Sequence, residues 1–171
     1  HNRCSGYVML DLDTLSDDFE RIVKGADGKK NVAPDLAKAY NKYAKGGTIA
    51  GAVLTAGGDV SLLESAFTTD NTEATITNMA AKICAFWDGV PKPGMPSHGG
   101  TVVVSVAPTF SLMTVAVAAA IKSCITDKTV EKPYKTLFKA IENVLKTATV
   151  TITETMPTTP PSPGVFPETL S

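Results

Sequence analysis

Two aspartates near the start of the chain are the residues whose type and spacing most suggest chemistry. Asp11 and Asp13 stand in the run VMLDLDTLSDD (8–18), where an apolar segment passes directly into alternating carboxylates. Neighbouring carboxylates can act as nucleophiles and can hold a magnesium ion. The same residues also fit the start of a helix, because acidic side chains are stabilised near the positive end of the helix dipole. The run therefore has a catalytic and a structural interpretation.

The catalytic interpretation corresponds to a known family pattern. The run resembles the first motif of haloacid-dehalogenase-type phosphatases, in which an apolar strand leads into DxDxT. The resemblance implies that Asp11 would be the nucleophile and Asp13 the general acid, beside Mg²⁺. The glycine usual after the second aspartate is missing, and the last predicted strand ends in ITET (152–155) with no pair of aspartates after it. We therefore favour the structural interpretation, in which Thr14 and Asp17 mark a helix start, and keep the magnesium-dependent phosphatase as the alternative.

Other candidate motifs give weaker signals. HGGT (98–101) resembles the oxyanion-hole glycines of some esterases, but no GxSxG motif accompanies it, and a flexible turn explains it better. The sequence also lacks the phosphate-binding patterns GxxxxGK[ST] and GxGxxG. Its cysteines Cys4, Cys84 and Cys124 are too far apart for a zinc motif, and the last two lie in apolar helical patterns that predict burial. No metal or other cofactor is predicted.

The composition favours contacts with other proteins. Hydrophobic residues make up 43% of the chain, whereas charged residues make up 19%, which is somewhat low for a globular protein. The net charge of −1 gives no electrostatic reason to expect nucleic acid or an acidic membrane as a partner. The longest apolar run, 115–121, is too short to cross a bilayer. Much of the surface is therefore predicted to meet protein.

The elements that would position these residues recur in one order. Apolar spacing predicts helix, helix, strand three times, in units at about 8–56, 57–108 and 109–156. We predict an α+β fold in which the three units share a core, as one domain spanning residues 1–156. The strands are predicted to pool in one sheet or to pair with neighbouring subunits. Residues 157–171 contain five prolines in 15 residues and predict an extended tail outside the core.

Apolar residues of these elements are the candidates for an interface. The helix predicted at 112–124 is so rich in alanine and valine that hardly any side of it is polar, which predicts burial in a core or against another subunit. The candidates come from this helix, from the end of the preceding helical stripe and from the predicted strands: Val115, Val117, Ile121, Trp87, Val103, Val150 and Ile152.

Three segments carry a resemblance to a class of viral proteins. VAVAAAIKSC, LFKAIENVLKTATVTI and PTTPPSPG resemble small virion structural proteins of tailed bacteriophages, in a likeness that covers roughly residues 8–164. The resemblance implies a non-enzymatic component of a tail, baseplate or capsid that is assembled in the host cytoplasm. Its partners would be copies of itself and other virion proteins, met through apolar helices and exposed strand edges. A secreted or surface binding module is a third possibility, which the free cysteines disfavour.

Overall fold

Residues that start and stop helices divide most of the described part of the chain into six α-helices. Pro34 and Pro133 lie in the first turns of their helices, where a missing N–H costs no hydrogen bond, and Gly25 follows the first helix as its C-cap. The computed structural model describes residues 10–26, 31–49, 52–54, 57–67, 72–91, 101–103, 110–127, 129, 131–158 and 162–170. The helices are α1 (Leu12–Lys24), α2 (Ala33–Ala44), α3 (Val60–Ala66), α4 (Glu73–Gly89), α5 (Thr114–Thr126, preceded by a 3₁₀ turn at Phe110–Met113) and α6 (Pro133–Leu145).

The strands of the described residues form two separate antiparallel sheets. The strands are β1 (Thr48–Ile49), β2 (Ala52–Val53), β3 (Thr101–Val103), β4 (Thr149–Met156) and β5 (Ser162–Thr169). β1 pairs only with β2 in a short ribbon, and the other three follow the order β3-β4-β5. β5 pairs with β4 along its whole length, from Ser162 opposite Met156 to Thr169 opposite Thr149.

The six helices form a closed ring. Each helix packs against the next one in chain order, and α6 packs against α1. At this closing joint the ring of Phe19 on α1 meets the ring of Phe138 on α6 edge-on, with centroids 4.6 Å apart. Asp13 and Lys135 form an ion pair across the same joint. The first and last helices are therefore held together by both an aromatic contact and a charged one.

Tyr40 on α2 lies at the centre of the core. Its fully buried ring contacts five other aromatic rings with centroids 5.5–6.5 Å away, contributed by α2, α4, α6 and the residue that follows α3: Tyr43, Phe67, Phe86, Trp87 and Phe138. Such edge-on and tilted contacts stabilise aromatic pairs beyond the area that they bury. The centre of the core is thus built mainly by side chains from helices.

The predicted α+β fold of three helix–helix–strand units is wrong. The part of the chain whose side chains the structure describes is mostly helical, and its six helices bury their apolar faces against one another without a shared sheet. The predicted strands are not equivalent either, because β1 pairs in its own ribbon while β3 and β4 belong to a different sheet. The predicted unit boundaries near residues 56 and 108 lie outside the described residues.

The segment predicted as an extended tail outside the core contributes to the folded structure. It supplies β5, and Leu170 directly after that strand is buried within the core cluster. Within the described ranges, none of the helices combines the length and the apolar character that crossing a membrane requires.

Candidate self-association surface

The start of α5 is fixed by a carboxylate at the end of α4. Asp88 accepts hydrogen bonds from the backbone N–H of Phe110 at 2.8 Å and of Ser111 at 3.0 Å, and a third from the Ser111 hydroxyl. Both N–H groups belong to the 3₁₀ turn that opens into α5, and a side-chain oxygen binds them as in an N-cap. Phe110 itself is buried against Trp87, with ring centroids 6.0 Å apart. The outer face of α5 is therefore held at a defined position beside α4.

Large apolar side chains project from this outer face. Leu112 is 77% exposed and Val115 is 82% exposed, and Ala116 and Ala119 are exposed on the same side. The spacing of these residues, with steps of three and four, places them along one face of the helix. Scattered exposed apolar residues are ordinary on a protein surface, but a continuous group is typical of a contact site. We call Leu112, Val115, Ala116 and Ala119 the α5 face.

A groove of about 330 Å³ runs between α4 and α5 beside this face. Alanines and threonines, whose side chains are short, form most of its wall. Its lining residues are Glu73 and Thr77 from α4 and Thr114, Val115, Ala118, Ala119 and Lys122 from α5. The groove therefore has room for an aliphatic side chain from outside.

An ion pair marks the far end of the groove. Lys122 Nζ lies 2.7 Å from Glu73 Oε2, and both side chains are more than half exposed. Exposed pairs of this kind contribute little to stability, because water screens them and ordering the side chains costs entropy. The pair instead gives the end of the groove one charge of each sign.

Of the predicted interface residues whose side chains the structure describes, one lies on this surface. Val115 does, whereas Val117 and Ile121 lie on the opposite face of α5 and are buried in the core, as is Trp87 on α4. Successive residues of a helix are rotated by about 100°, so the side chain of Val117, two residues after Val115, faces inward. Val103, Val150 and Ile152 lie in β3 and β4, and their side chains are outside the described part of the structure.

Leu112, Ala116 and Ala119 are the residues of this face that the sequence interpretation missed. The signal was present, because Leu112, Val115 and Ala119 follow the three-and-four spacing of one helical face. It was hidden because Val117 and Ile121 form an equally apolar face on the other side of the same helix. Only the packing of α5 against α4 and α6 shows which of the two faces remains outside.

The two aspartates of the phosphatase motif have structural partners. Asp11 is the N-cap of α1, and its carboxylate accepts from Thr14 N at 3.0 Å and from the Thr14 hydroxyl at 2.6 Å. The Thr14 hydroxyl bond is the main reason that the pKa of Asp11 lies below its ordinary value. The Asp13 carboxylate forms an ion pair with the Lys135 ammonium group. Across the described ranges, no group of three or more His, Cys, Asp or Glu side chains is placed to hold a metal ion.

No family model, curated protein or solved structure matches this chain. The α5 face and the groove beside it are thus interpreted from their own geometry.

A polar network inside the core joins three helices. The Trp87 indole N–H donates to the Tyr40 hydroxyl at 3.1 Å, and the Tyr43 hydroxyl donates to the carboxylate of Glu142, which also pairs with Lys146. Burial raises the pKa of both tyrosines well above the ordinary value of 10, so they stay neutral donors and acceptors. Each of these polar groups has a partner, so the network serves the fold.

Desolvation disfavours the reactive thiolate form of both cysteines that the structure describes. Cys84 is fully buried, which confirms the sequence prediction, and burial raises its pKa to about 11. Cys124 is half-buried, and desolvation also raises its pKa. A thiol with a raised pKa carries little thiolate, the reactive form, at neutral pH. Cys4 lies outside the described residues.

A second groove, between α1 and α2, is lined by charged side chains of both signs. Its volume is about 390 Å³, and its walls include Asp18, Arg21, Asp35, Lys38 and Lys42. Asp18 and Arg21 already pair with each other at 2.9 Å. Mixed, exposed charges of this kind are typical of a solvated surface, so the α5 face is the stronger candidate.

Proposed function

We propose that this chain is a non-enzymatic structural protein that self-associates and takes part, with other virion proteins, in a bacteriophage particle as a tail, baseplate or capsid-associated component. The observation that carries the self-association is the α5 face, where Leu112 and Val115 project into solvent next to a groove of small residues. Exposed apolar groups of this kind gain free energy when a partner removes them from water. The placement in a virion rests on the sequence resemblance.

The surroundings of the early aspartates support a structural role for them. A phosphatase nucleophile must be free to attack, whereas Asp11 accepts two hydrogen bonds from Thr14 at the start of a helix. Asp13 is paired with Lys135 across the joint between α1 and α6. Both carboxylates thus have local roles in the fold that need no chemistry.

The test of self-association is the size of the full chain in solution. Sedimentation velocity and light scattering over a wide range of concentrations should show an oligomer that dissociates on dilution. A monomer at every concentration would contradict the proposal. Hydrolysis of a generic phosphate ester that Asp11→Asn abolishes would contradict it in a different way, in favour of the magnesium-dependent phosphatase.

The virion assignment has its own test. Genes for particle proteins are expected to flank the coding sequence, and mass spectrometry of purified particles should detect this chain in a fixed ratio to them. Its absence from such particles would leave self-association standing but would refute the location.

A further inference from the structure

We propose that copies of this chain associate by exchanging their C-terminal arms, so that β5 of each copy pairs with β4 of the other. The C-terminal arm is β5 together with Leu170, and residues 157–161 connect it to β4. This inference rests on the proposed function, because it takes self-association as given and names a contact that produces it. Exchange of an identical element is a low-cost route to a dimer, since each arm binds a position that already fits it.

The contacts of the arm show which partner fits its position. All eight residues of β5 pair with β4. Leu170 is 2% exposed and lies beside Gly47, where a Cβ atom would come within 3.3 Å of the leucine side chain. The position therefore recognises the arm of this chain by backbone register and by a buried leucine. Every copy carries the same arm, so a second copy can supply it with the same contacts.

The arm lies at the periphery of the fold. Among the described elements, β5 packs extensively against β4 alone, at the end of the sheet order β3-β4-β5. The six helices pack against one another in their ring without it. Departure of the arm from β4 therefore leaves the contacts between helices in place, and Leu170 is the described arm residue that has to leave the core cluster.

The connection between β4 and β5 resists the reversal that keeps an arm on its own chain. Residues 157–161 read PTTPP, so three of the five positions have φ fixed at about −65°. The residues directly before Pro160 and Pro161 are also restricted towards extended conformations. Hairpin turns use helical or left-handed conformations, which these positions disfavour. A stiff, extended connection lowers the effective concentration of β5 at the β4 of its own chain.

In the single chain, the reversal begins with a tight turn. The Thr158 N–H donates to the Met156 carbonyl at 2.8 Å, which closes a three-residue turn around Pro157. Exchange gives up this turn and lets the connection run straight over roughly 15 Å, at about 3.1 Å per residue. It keeps the pairing of β4 with β5 and the burial of Leu170. The preference for one chain or two therefore depends on the connection.

The outer edge of β5 is a poorer place for copies to meet. β5 is the end strand of the sheet among the described residues, and it contains Pro163 and Pro167. Proline in an end strand keeps its nitrogen on the outer side, and a spacing of four residues places both prolines on the same edge. Both positions lack the N–H that an added strand would need. Exchange of β5 avoids this problem, because it uses the inner edge that already pairs with β4.

A disulfide across the β4–β5 pair tests the exchange directly. Thr149 and Thr169 are exposed Cα partners in this register, so Thr149→Cys with Thr169→Cys should form a disulfide under mild oxidation. The bond joins two copies when arms are exchanged and stays within one chain when they are not. On a non-reducing denaturing gel, the oxidised oligomer should therefore run as a covalent dimer. Each single-cysteine variant is a control and should run mainly as a monomer.

Isotope labelling identifies the linked peptides. Labelled and unlabelled chains of the double-cysteine variant are unfolded, refolded together and then oxidised. Mass spectrometry should find disulfide-linked peptides around positions 149 and 169 that combine one labelled and one unlabelled partner. Links through the native cysteines have different masses, so they cannot imitate this result.

Substitution of the prolines tests the role of the connection. Pro160→Asn with Pro161→Gly introduces a pair that favours a tight hairpin turn, so β5 should return more readily to its own β4. The dissociation constant of the oligomer, measured by sedimentation, should rise at least about tenfold. Pro91→Asn with Pro93→Gly, in the segment after α4, is the matched control and should leave the constant unchanged.

The outcomes separate this inference from the proposed function. A wild-type oligomer whose oxidised double-cysteine variant runs as a monomer, with the disulfide inside one chain, overturns arm exchange and leaves self-association through another surface. Failure of the disulfide to form overturns the register on which the exchange depends. Bonds between copies together with an unchanged dissociation constant in the proline variant overturn the role of the connection. A wild-type monomer at every concentration overturns both the inference and the proposed function.

Discussion

At the scale of single residues, several aspartates in the described part of the chain bind backbone N–H groups. Asp11 caps α1, Asp59 caps α3 by accepting from Ser61 N, and Asp88 binds the turn before α5. The first N–H groups of a helix have no partner within the helix, so such oxygens supply one. A DxDT sequence can therefore arise from helix capping alone, which is why the motif by itself does not identify a phosphatase.

Replacing Asp11 should lower the free energy of unfolding, because it removes the N-cap of α1. Asp11→Ala removes both acceptors of Thr14, and loss of an N-cap typically costs about 1 kcal/mol of unfolding free energy. Urea unfolding should show this difference at neutral pH, whereas Asp17→Ala, at an exposed position on the same helix, should show little.

The pH dependence of this cap has a definite sign. The folded-state pKa of Asp11 is lower than its ordinary value of 3.8, mainly because the charged form accepts the Thr14 hydroxyl bond. The stabilisation that the ionised Asp11 cap gives the folded protein is therefore present above the ordinary pKa of 3.8. It is lost as pH falls through the folded-state pKa. The difference between wild type and Asp11→Ala should shrink in acid. A difference that stays constant there would show that the charge of Asp11 plays no part.

Gly58 is a position where a side chain does not fit. A Cβ atom there would lie 2.6 Å from the Phe86 carbonyl oxygen and 2.8 Å from its ring. Gly58→Ala should therefore force the approach to α3 away from α4 and lower the unfolding free energy by about 1–3 kcal/mol. At Gly89 a Cβ atom would meet nothing within 4 Å. Gly89→Ala should leave the stability unchanged or raise it by up to about 1 kcal/mol.

At the scale of elements, sequence signals located the helices better than they identified their caps. Pro133 opens α6 and Gly25 is the C-cap of α1, and both residue types are the ones expected at those ends of a helix. Thr14 was predicted as the start of α1, but the cap is Asp11, three residues earlier. Both residues are good capping types at neighbouring positions, and only the backbone conformation decides between them.

Sequence patterns could not show which helices pack against one another. Helical spacing shows that a side is apolar but not what covers it, so Val117 and Val115 looked equally suited to an interface. The bond from Asp88 to Phe110 joins residues separated by a segment rich in proline and glycine, and no periodic signal connects them. The grouping of these residues along one side of α5 was therefore predictable from their spacing. The exposure of that side to solvent was not.

The Asp88 carboxylate should stabilise the 3₁₀ turn that precedes α5. Asp88→Ala removes the acceptor of the Phe110 and Ser111 N–H groups and should lower the unfolding free energy by about 1–2 kcal/mol. Amide hydrogen exchange at these two residues should accelerate more than exchange elsewhere in α5. Asp127→Ala at the other end of α5, where the carboxylate accepts from Thr129, should leave their exchange rates unchanged. Equal acceleration in both variants would mean that Asp88 does not position this turn.

At the scale of the whole molecule, the contact between α1 and α6 closes the ring and joins the first helix to the last. Phe19 is buried at this joint among Phe67, Tyr134 and Phe138, whereas Asp13 and Lys135 form their ion pair in contact with solvent. Burial of an aromatic side chain contributes several kilocalories per mole, whereas an exposed ion pair contributes little. The aromatic contact should therefore hold the ring closed.

Two substitutions at this joint separate the aromatic contribution from the ionic one. Phe19→Ala should lower the unfolding free energy by about 3–5 kcal/mol, since it leaves a cavity between rings that contact each other directly. Asp13→Ala removes the ion pair and should cost less than about 1 kcal/mol, because both partners are more than one-third exposed. Urea unfolding followed by far-ultraviolet circular dichroism measures both. A larger loss from Asp13→Ala than from Phe19→Ala would mean that charge, rather than buried aromatic surface, closes the ring of helices.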